Sequence, residues 1–289
     1  MFENLFNFHD YRYFWWFCAS VLIGIGLYAS QSSGSPINGG TWQGYVLGSW
    51  AALLIVWLAL LGYRKRRYSS RMGTMQGWTS AHVYLGVAVW LLATLHCAAE
   101  FGWNIHTFAY ALMTFVIVSG MFGVYVYLAL PRRTSDNSAG VGRSELFAEL
   151  YQLNREGADI AHKCAGDVQT AALSSIQRSK VGGGVWAQLT GRDASSFETL
   201  EDGGAANPDQ TLIIDYVASR IPKAGKRSEV TYLRELLAVL CRRQTVLRQL
   251  REEIRLKSWL KMWLYVHVPM TFATIAALTA HVFSTFVYW

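Results

Sequence analysis

The chain carries five long runs of apolar residues, separated by polar segments. The runs cover residues 13–30, 45–63, 80–99, 107–130 and 259–288. Their lengths are close to the roughly 20 helical residues that cross the hydrocarbon core of a bilayer. Tryptophans stand at their ends, where amphipathic rings meet the lipid headgroups: Trp15, Trp16, Trp42, Trp78, Trp103, Trp259, Trp263 and Trp289. The pattern predicts an all-α membrane protein with five transmembrane helices, which we number one to five.

The polar segment before helix five, residues 131–258, has its own pattern. Residues 144–177 are typical of helix, 182–208 of a linker rich in Gly, Ser, Asp and Asn, and 229–257 of a second helix. Apolar residues at spacings of three, four and seven indicate a coiled-coil-like seam formed by Leu233, Leu237, Leu240, Leu247, Leu250 and Ile254. We expect a helical hairpin with the first segment, through Leu146, Leu150, Leu153 and Ile160. A solvated linker is the alternative, and the second helix has no breaker before helix five.

The short loops predict the orientation. The loops after helices one and three contain no Lys or Arg. The loop between helices two and three contains five basic residues: Arg64, Lys65, Arg66, Arg67 and Arg71. Because basic loops stay in the cytoplasm, we expect the N-terminus and the insertion to be cytoplasmic and the C-terminus periplasmic, in a multi-pass inner-membrane protein.

This orientation divides the chain into four parts. Residues 1–44 form the first transmembrane helix and an external loop, and residues 45–130 form helices two to four. Residues 131–258 form the cytoplasmic coiled-coil-like helical insertion, and 259–289 the fifth transmembrane helix.

Composition and charge exclude several classes. The chain is 52% hydrophobic and 16% charged, too apolar for an ordinary soluble domain. Of 26 Lys and Arg and 19 Asp and Glu, 19 basic and 16 acidic residues lie within 131–258, so the rest is almost uncharged. We expect no nucleic-acid partner, since the basic residues beside the apolar runs are what membrane topology requires. The four cysteines form no C-x-x-C pair, which gives no indication of an iron–sulfur cluster or of covalent haem attachment.

Four of the seven histidines lie within the predicted transmembrane helices. His82 and His96 on helix three are fourteen residues apart, and so are His267 and His281 on helix five. Fourteen residues make about four turns and roughly 21 Å of rise, with both side chains near one helix face. Helices three and five are parallel because one crossing separates them. We therefore expect an inner level of His82 with His267 and an outer level of His96 with His281, each offering the two axial nitrogens that a low-spin haem iron requires.

Small residues repeat the same interval. Gly48 and Gly62 on helix two are fourteen apart, and Gly123 on helix four is fourteen from Ala109. A flat macrocycle between helices needs backbones that approach it closely, which glycine permits. We expect Gly48 near the outer level and Gly62 near the inner one.

These segments resemble those of membrane di-haem cytochromes b, which include the cytochrome b subunit of respiratory bc complexes and the transmembrane core of ferric reductases and NADPH oxidases. The resemblance covers helices two to five and rests on "GSWAALLIVWLALLG", "AHVYLGVAVWLLATLH" and "HVPMTFATIAALTAH". It implies a four-helix bundle with two bis-histidine haem b groups. It also implies that the metal ligands are His82, His96, His267 and His281, with Gly48 and Gly62 packing on the haems.

The resemblance further implies single-electron transfer across the membrane. We find neither a flavin or nicotinamide domain nor the expected quinol-site loop in the sequence. We therefore expect a non-autonomous oxidoreductase subunit that needs redox partner proteins in a complex, with quinone as a candidate second partner.

Two other functions remain open. A proton-coupled transporter would use the same histidines along a hydrated path, but no acidic residue lies deep in the apolar runs. A non-redox membrane anchor would use only the insertion. Further candidates are the propionate partners Arg64, Arg71 and Lys261 and the proton acceptor Glu100, whereas we expect three histidines not to be ligands: His9, His106 and His162.

Overall fold

The computed structural model describes residues 6–31, 39–66, 73–138, 143–199 and 203–287. The helices are α1 (Arg12–Ala29), α2 (Trp42–Arg66), α3 (Met75–Cys97), α4 (Ile105–Ser138), α5 (Arg143–Ala161), α6 (Gly166–Gln177), α7 (Val185–Thr190), α8 (Thr211–Arg220) and α9 (Arg227–Val287). The strands β1 (Ser196–Thr199) and β2 (Gly203–Ala206) pair antiparallel. Single 3₁₀ turns at Pro208–Gln210 and Ile221–Lys223 flank α8.

Among the described residues, five of these helices are long and apolar enough to cross a membrane, as the apolar runs predict. They are α1, α2, α3, the Ile105–Leu128 part of α4, and α9. Local sequence explains the helix ends. The Thr74 hydroxyl accepts the N–H of Gly77 and so caps α3, while α2 ends in Arg64, Lys65 and Arg66, whose charges favour the negative end of the helix dipole.

The chain divides into two compact units. The membrane unit comprises Met1–Val124 and Trp263–Trp289, and the insertion unit comprises Tyr125–Met262. Helix α9 contributes residues to both, since it runs without interruption over 61 residues. This confirms that the second helix of the insertion continues into helix five.

In the membrane unit, α2 and α1 both pack on α3. Leu47, Ala51 and Leu92 form one buried cluster, which joins α2 to α3. Gly24 lets α1 approach closely, because a Cβ atom there would lie 2.6 Å from Leu92 Cδ2. Helix one was expected outside the four-helix bundle, and its packing on α3 adds a helix that the histidine pattern did not indicate.

The insertion unit is built around the predicted pairing of two amphipathic helices. Leu146, Leu150 and Leu153 of α5 share a buried core with leucines of α9, namely Leu233, Leu236, Leu240, Leu247 and Leu250. At the edge of this core, Arg242 forms an ion pair with Glu149 at 2.6 Å. The predicted seam is therefore confirmed at Leu233, Leu240, Leu247 and Leu250. Leu236 joins the buried core in place of Leu237, which is only partly buried, and Ile254 lies outside this cluster.

The prediction of a linker over 182–208 is wrong, and the insertion is more than a hairpin. This stretch contains α7, β1 and β2. Its elements have four to six residues, too short for a period to be visible in the sequence, and Gly203 and Gly204 begin β2 with residues of low strand propensity. Tertiary contacts hold the sheet instead: Phe197 is buried in the core, and the N–H of Glu198 donates to the Ser174 hydroxyl at 2.8 Å.

A buried arginine organises the polar centre of the insertion unit. Arg243 is 1% exposed, and it donates to Asn154 Oδ1 at 2.7 Å, Gln210 Oε1 at 2.6 Å and Ser179 Oγ at 2.7 Å. Burial, followed by repulsion from Arg251, lowers the pKa of Arg243 to about 10. The guanidinium therefore stays charged at neutral pH, and the acceptors of these three bonds are neutral side chains.

Candidate functional site

The structure places the four membrane histidines on α3 and α9 of the membrane unit and brings them together as two levels. The ring centres of His96 and His281 lie 6.2 Å apart, with their planes inclined at 74°. His82 and His267 are close enough for a charge on one ring to affect the other. The pairing across the two helices is thus the one expected from parallel helices.

Helix α2 holds the two histidines of α3 in the same way. Nδ1 of His82 donates to the carbonyl oxygen of Leu58 at 3.2 Å, and Nδ1 of His96 donates to that of Gly44 at 2.8 Å. A carbonyl oxygen can only accept, so the hydrogen of each neutral ring is on Nδ1 and the lone pair is on Nε2. The two acceptors are fourteen residues apart, like the two histidines, because α2 and α3 are antiparallel neighbours.

Helix α4 provides the equivalent partner for His267. The Ser119 hydroxyl lies 2.7 Å from His267 Nδ1 and donates its own hydrogen to the carbonyl of Val116 at 2.8 Å. Its oxygen therefore accepts the N–H of His267, which again leaves Nε2 with the lone pair. The sequence pattern does not indicate Ser119, since serine is common in membrane helices and only its position beside His267 distinguishes it.

Trp263 packs beside His267, at a ring-centre distance of 5.0 Å. Its indole N–H donates to the carbonyl of Ser119 at 2.7 Å. Gly123 allows this contact, because a Cβ atom there would lie 2.2 Å from Trp263 Cζ2. Gly123 was expected to pack on a haem, whereas the ring that it meets in the structure is the indole of Trp263.

The outer level contains a third imidazole, that of His106, which the sequence pattern did not indicate as a ligand. His106, the second residue of α4, lies edge-on against His281 with a ring-centre distance of 4.3 Å. His281 differs from the other three membrane histidines, because its Nδ1 is buried and has no hydrogen-bond partner among the described residues. His106 has no partner at a fourteen-residue spacing, so the pattern that revealed the other four could not reveal it.

The two glycines of α2 have different surroundings. Gly48 packs on the ring of His96, and a Cβ atom there would lie 2.8 Å from Cε1. At Gly62 a Cβ atom would meet no described atom within 4 Å outside its own stretch of helix, and the same holds at Gly86, one turn after His82 on α3. Gly62 is exposed, so the open space at that position lies at the surface of α2, whereas Gly86 is partly buried.

Candidate charged partners lie at the helix ends. Arg64 is buried near the end of α2 and donates to the carbonyl of Gly73 at 2.8 Å. Glu100 is exposed just after α3, and Lys261 is exposed on α9 within the insertion unit. Arg67 and Arg71 lie outside the described residues.

The ring spacing of the outer level can be compared with that of a metal bound by two imidazoles. A bond from imidazole nitrogen to metal is about 2 Å, and that nitrogen lies about 1 Å from the ring centre, so an axial pair has ring centres about 6 Å apart. The 6.2 Å between His96 and His281 agrees with this value. Within the described ranges no group of three or more His, Cys, Asp or Glu residues could hold a metal ion. A haem iron needs only two axial ligands from the protein.

Comparisons with protein-family models, with curated proteins and with solved structures find no match for this chain.

Proposed function

We propose that this chain is a b-type di-haem electron-transfer subunit of a membrane complex. In this proposal His82 and His267 ligate the inner haem, and His96 and His281 ligate the outer one. The observation that carries the proposal is the hydrogen bonding of Nδ1 in the histidine rings. Three of the four rings donate Nδ1–H to an oxygen of a neighbouring helix, and this leaves Nε2 as the ligand atom. Metal-binding histidines are commonly oriented in this way.

A haem supplies single-electron chemistry to such a site, and the protein supplies position and environment. The carbonyls of Leu58 and Gly44 and the hydroxyl of Ser119 hold the rings in fixed orientations. Gly48 lets α2 pack directly on the ring of His96, and no described atom outside the same stretch of helix lies within 4 Å of a Cβ atom at Gly62 or Gly86. The two levels are about 21 Å apart along the helices, most of the roughly 30 Å hydrocarbon core. Electrons entering at one face would therefore leave at the other.

The orientation and the partners belong to the same proposal. The basic residues at the end of α2 and directly after it would place the N-terminus and the insertion unit in the cytoplasm, in a chain held by the inner membrane. A redox partner protein would dock at one face, and quinone or a second protein would exchange electrons at the other. Purification of the complex under mild conditions, with identification of its subunits, would reveal these partners.

An optical spectrum and a haem count test the proposal. The purified protein should show the reduced α-band of b-type haem and two haems per chain. His82→Ala and His267→Ala should each remove the inner haem, while His96→Ala and His281→Ala should each remove the outer one. His162→Ala is the matched control, because His162 lies in the insertion unit and is exposed. A chain that binds no haem, or that loses haem equally in the control, contradicts the proposal.

A further inference from the structure

The two levels differ in one hydrogen bond. On α3, both histidines donate Nδ1–H to carbonyls of α2. On α9, His267 has Ser119, whereas Nδ1 of His281 is buried without a partner among the described residues. A buried N–H without an acceptor costs about 1–3 kcal/mol. The outer level therefore has one unfilled position.

His106 lies where the missing partner is required. Helix α4 runs antiparallel to α9, since Ser119 contacts His267 and His106 contacts His281. Ser119 and His106 are thirteen residues apart, almost the interval that separates the two histidines of α9. His106 is exposed at the start of α4, and its ring centre is 4.3 Å from that of His281. The two rings meet edge-on at 81°, and no hydrogen bond joins them in the structure.

We infer that His106 is a positioning residue that accepts the Nδ1–H of His281 and so directs Nε2 of His281 towards the outer haem. A neutral imidazole has one nitrogen lone pair that can accept this bond. The inference rests on the proposed function and gives the outer level the same arrangement as the inner one. His106 thereby acts through His281 and does not contact the iron.

The bond has an electronic consequence. Donation from Nδ1–H makes the ligand imidazole more basic. A more basic axial ligand favours the oxidised iron, so removal of the acceptor should raise the midpoint potential of the outer haem. Loss of such a partner also weakens metal binding by about 10- to 100-fold in typical sites.

Potentiometric titration of His106→Phe and His106→Gln tests the inference. The phenylalanine keeps a flat ring without an acceptor, whereas glutamine restores an acceptor oxygen. In His106→Phe, one haem should shift to higher potential or be lost, and it should be the haem that His281→Ala removes. His106→Gln should restore the wild-type potential. His9→Phe is the control, because His9 is an exposed histidine that does not belong to the outer level.

The outcomes separate the two proposals. A wild-type chain without two haems overturns the proposed function and the inference with it. A wild-type chain with two haems, together with unchanged potentials and haem content in His106→Phe, overturns the inference alone. Equal defects in His106→Phe and His106→Gln also overturn it, since they would show that the imidazole itself, and not an acceptor, is required.

Discussion

Ser119 and His267 form a hydrogen bond of 2.7 Å between α4 and α9. The serine is held in turn by the carbonyl of Val116, so its oxygen points towards the histidine. The backbone carbonyl of Ser119 accepts the indole N–H of Trp263. One residue of α4 thus orients both the ring of His267 and the aromatic side chain next to it.

Ser119→Ala should raise the midpoint potential of the inner haem and leave the outer one unchanged. The substitution removes the acceptor of His267 Nδ1–H and makes the ligand less basic. Ser119→Thr keeps a hydroxyl and is the matched control. Redox titration followed by visible absorption measures both haems. Identical titrations for the alanine and wild-type chains would contradict the role given to Ser119.

Gly48→Val should remove the outer haem and keep the inner one. Even the first carbon of a side chain at this position would lie 2.8 Å from His96 Cε1, so the ring would have to move. Gly26→Val on α1 is the control, because nothing lies within 4 Å of a Cβ atom there. The haem count per chain is the measurement. Two haems in Gly48→Val would show that the ring of His96 tolerates displacement.

Gly62→Leu tests whether a macrocycle fills the open space beside α2. No described atom outside its own stretch of helix would meet a Cβ atom at this position, so the apoprotein should fold normally. If a haem lies there, the leucine side chain should displace it and reduce the content to one haem per chain. Circular dichroism checks the fold, and the spectrum checks the haem. Full haem content would place the inner haem away from Gly62.

Substitutions of Gln210 should change the stability of the insertion unit in opposite directions. Its oxygen accepts from Arg243 at 2.6 Å, while its buried Nε2 has no partner among the described residues. Gln210→Glu replaces that unpaired donor with a carboxylate beside a buried guanidinium and should stabilise the unit. Gln210→Leu leaves the guanidinium short of one acceptor and should cost about 2 kcal/mol.

Hydrogen exchange of the full chain in detergent measures this effect. A loss of 2 kcal/mol should accelerate exchange in α6 and α8 by about 30-fold, and the glutamate should slow it. The amides of α3 are an internal control, since they belong to the membrane unit. Faster exchange in Gln210→Glu would show that desolvation of the new carboxylate outweighs its attraction to Arg243.

Cysteine labelling tests the proposed orientation. Cys241 is exposed on α9 within the insertion unit, whereas Cys164 is only partly exposed. Burial, and then the charge of Glu229, raise the pKa of the Cys164 thiol, so less of the reactive thiolate is present at pH 7. A membrane-impermeant maleimide should therefore label Cys241 first, and only after the cells are opened.

Cys241→Ser should lose the fast phase of labelling and keep the slow phase. Rapid labelling of Cys241 in intact cells would place the insertion outside the cytoplasm and reverse the proposed topology.

The sequence predicts the features that repeat over long distances. Apolar runs of about 20 residues located five helices that are long and apolar enough to span a membrane, and equal spacing on parallel helices paired His96 with His281. Short or unique features gave no such pattern. The strands β1 and β2 have four residues each, and β1 depends on contacts with α6. The role inferred for His106 depends on its contact with His281, which lies 175 residues away in the chain.

Buried polar groups were equally hard to foresee. Arg243 lies among leucines of a helix whose charged residues are otherwise expected to face water. Only the fold shows that Asn154, Ser179 and Gln210 converge on it. Ser119 is similar, since a hydroxyl gains significance only from the imidazole that it faces.

The matched spacing along α2 and α3 has a mechanical consequence. His82 meets Leu58 and His96 meets Gly44 on the same pair of helices. If α3 slid along α2 by a single turn, both imidazoles would lose their carbonyls in the same movement. The depths of the two histidines in the bilayer are therefore locked together, and neither can be adjusted while the other stays in place.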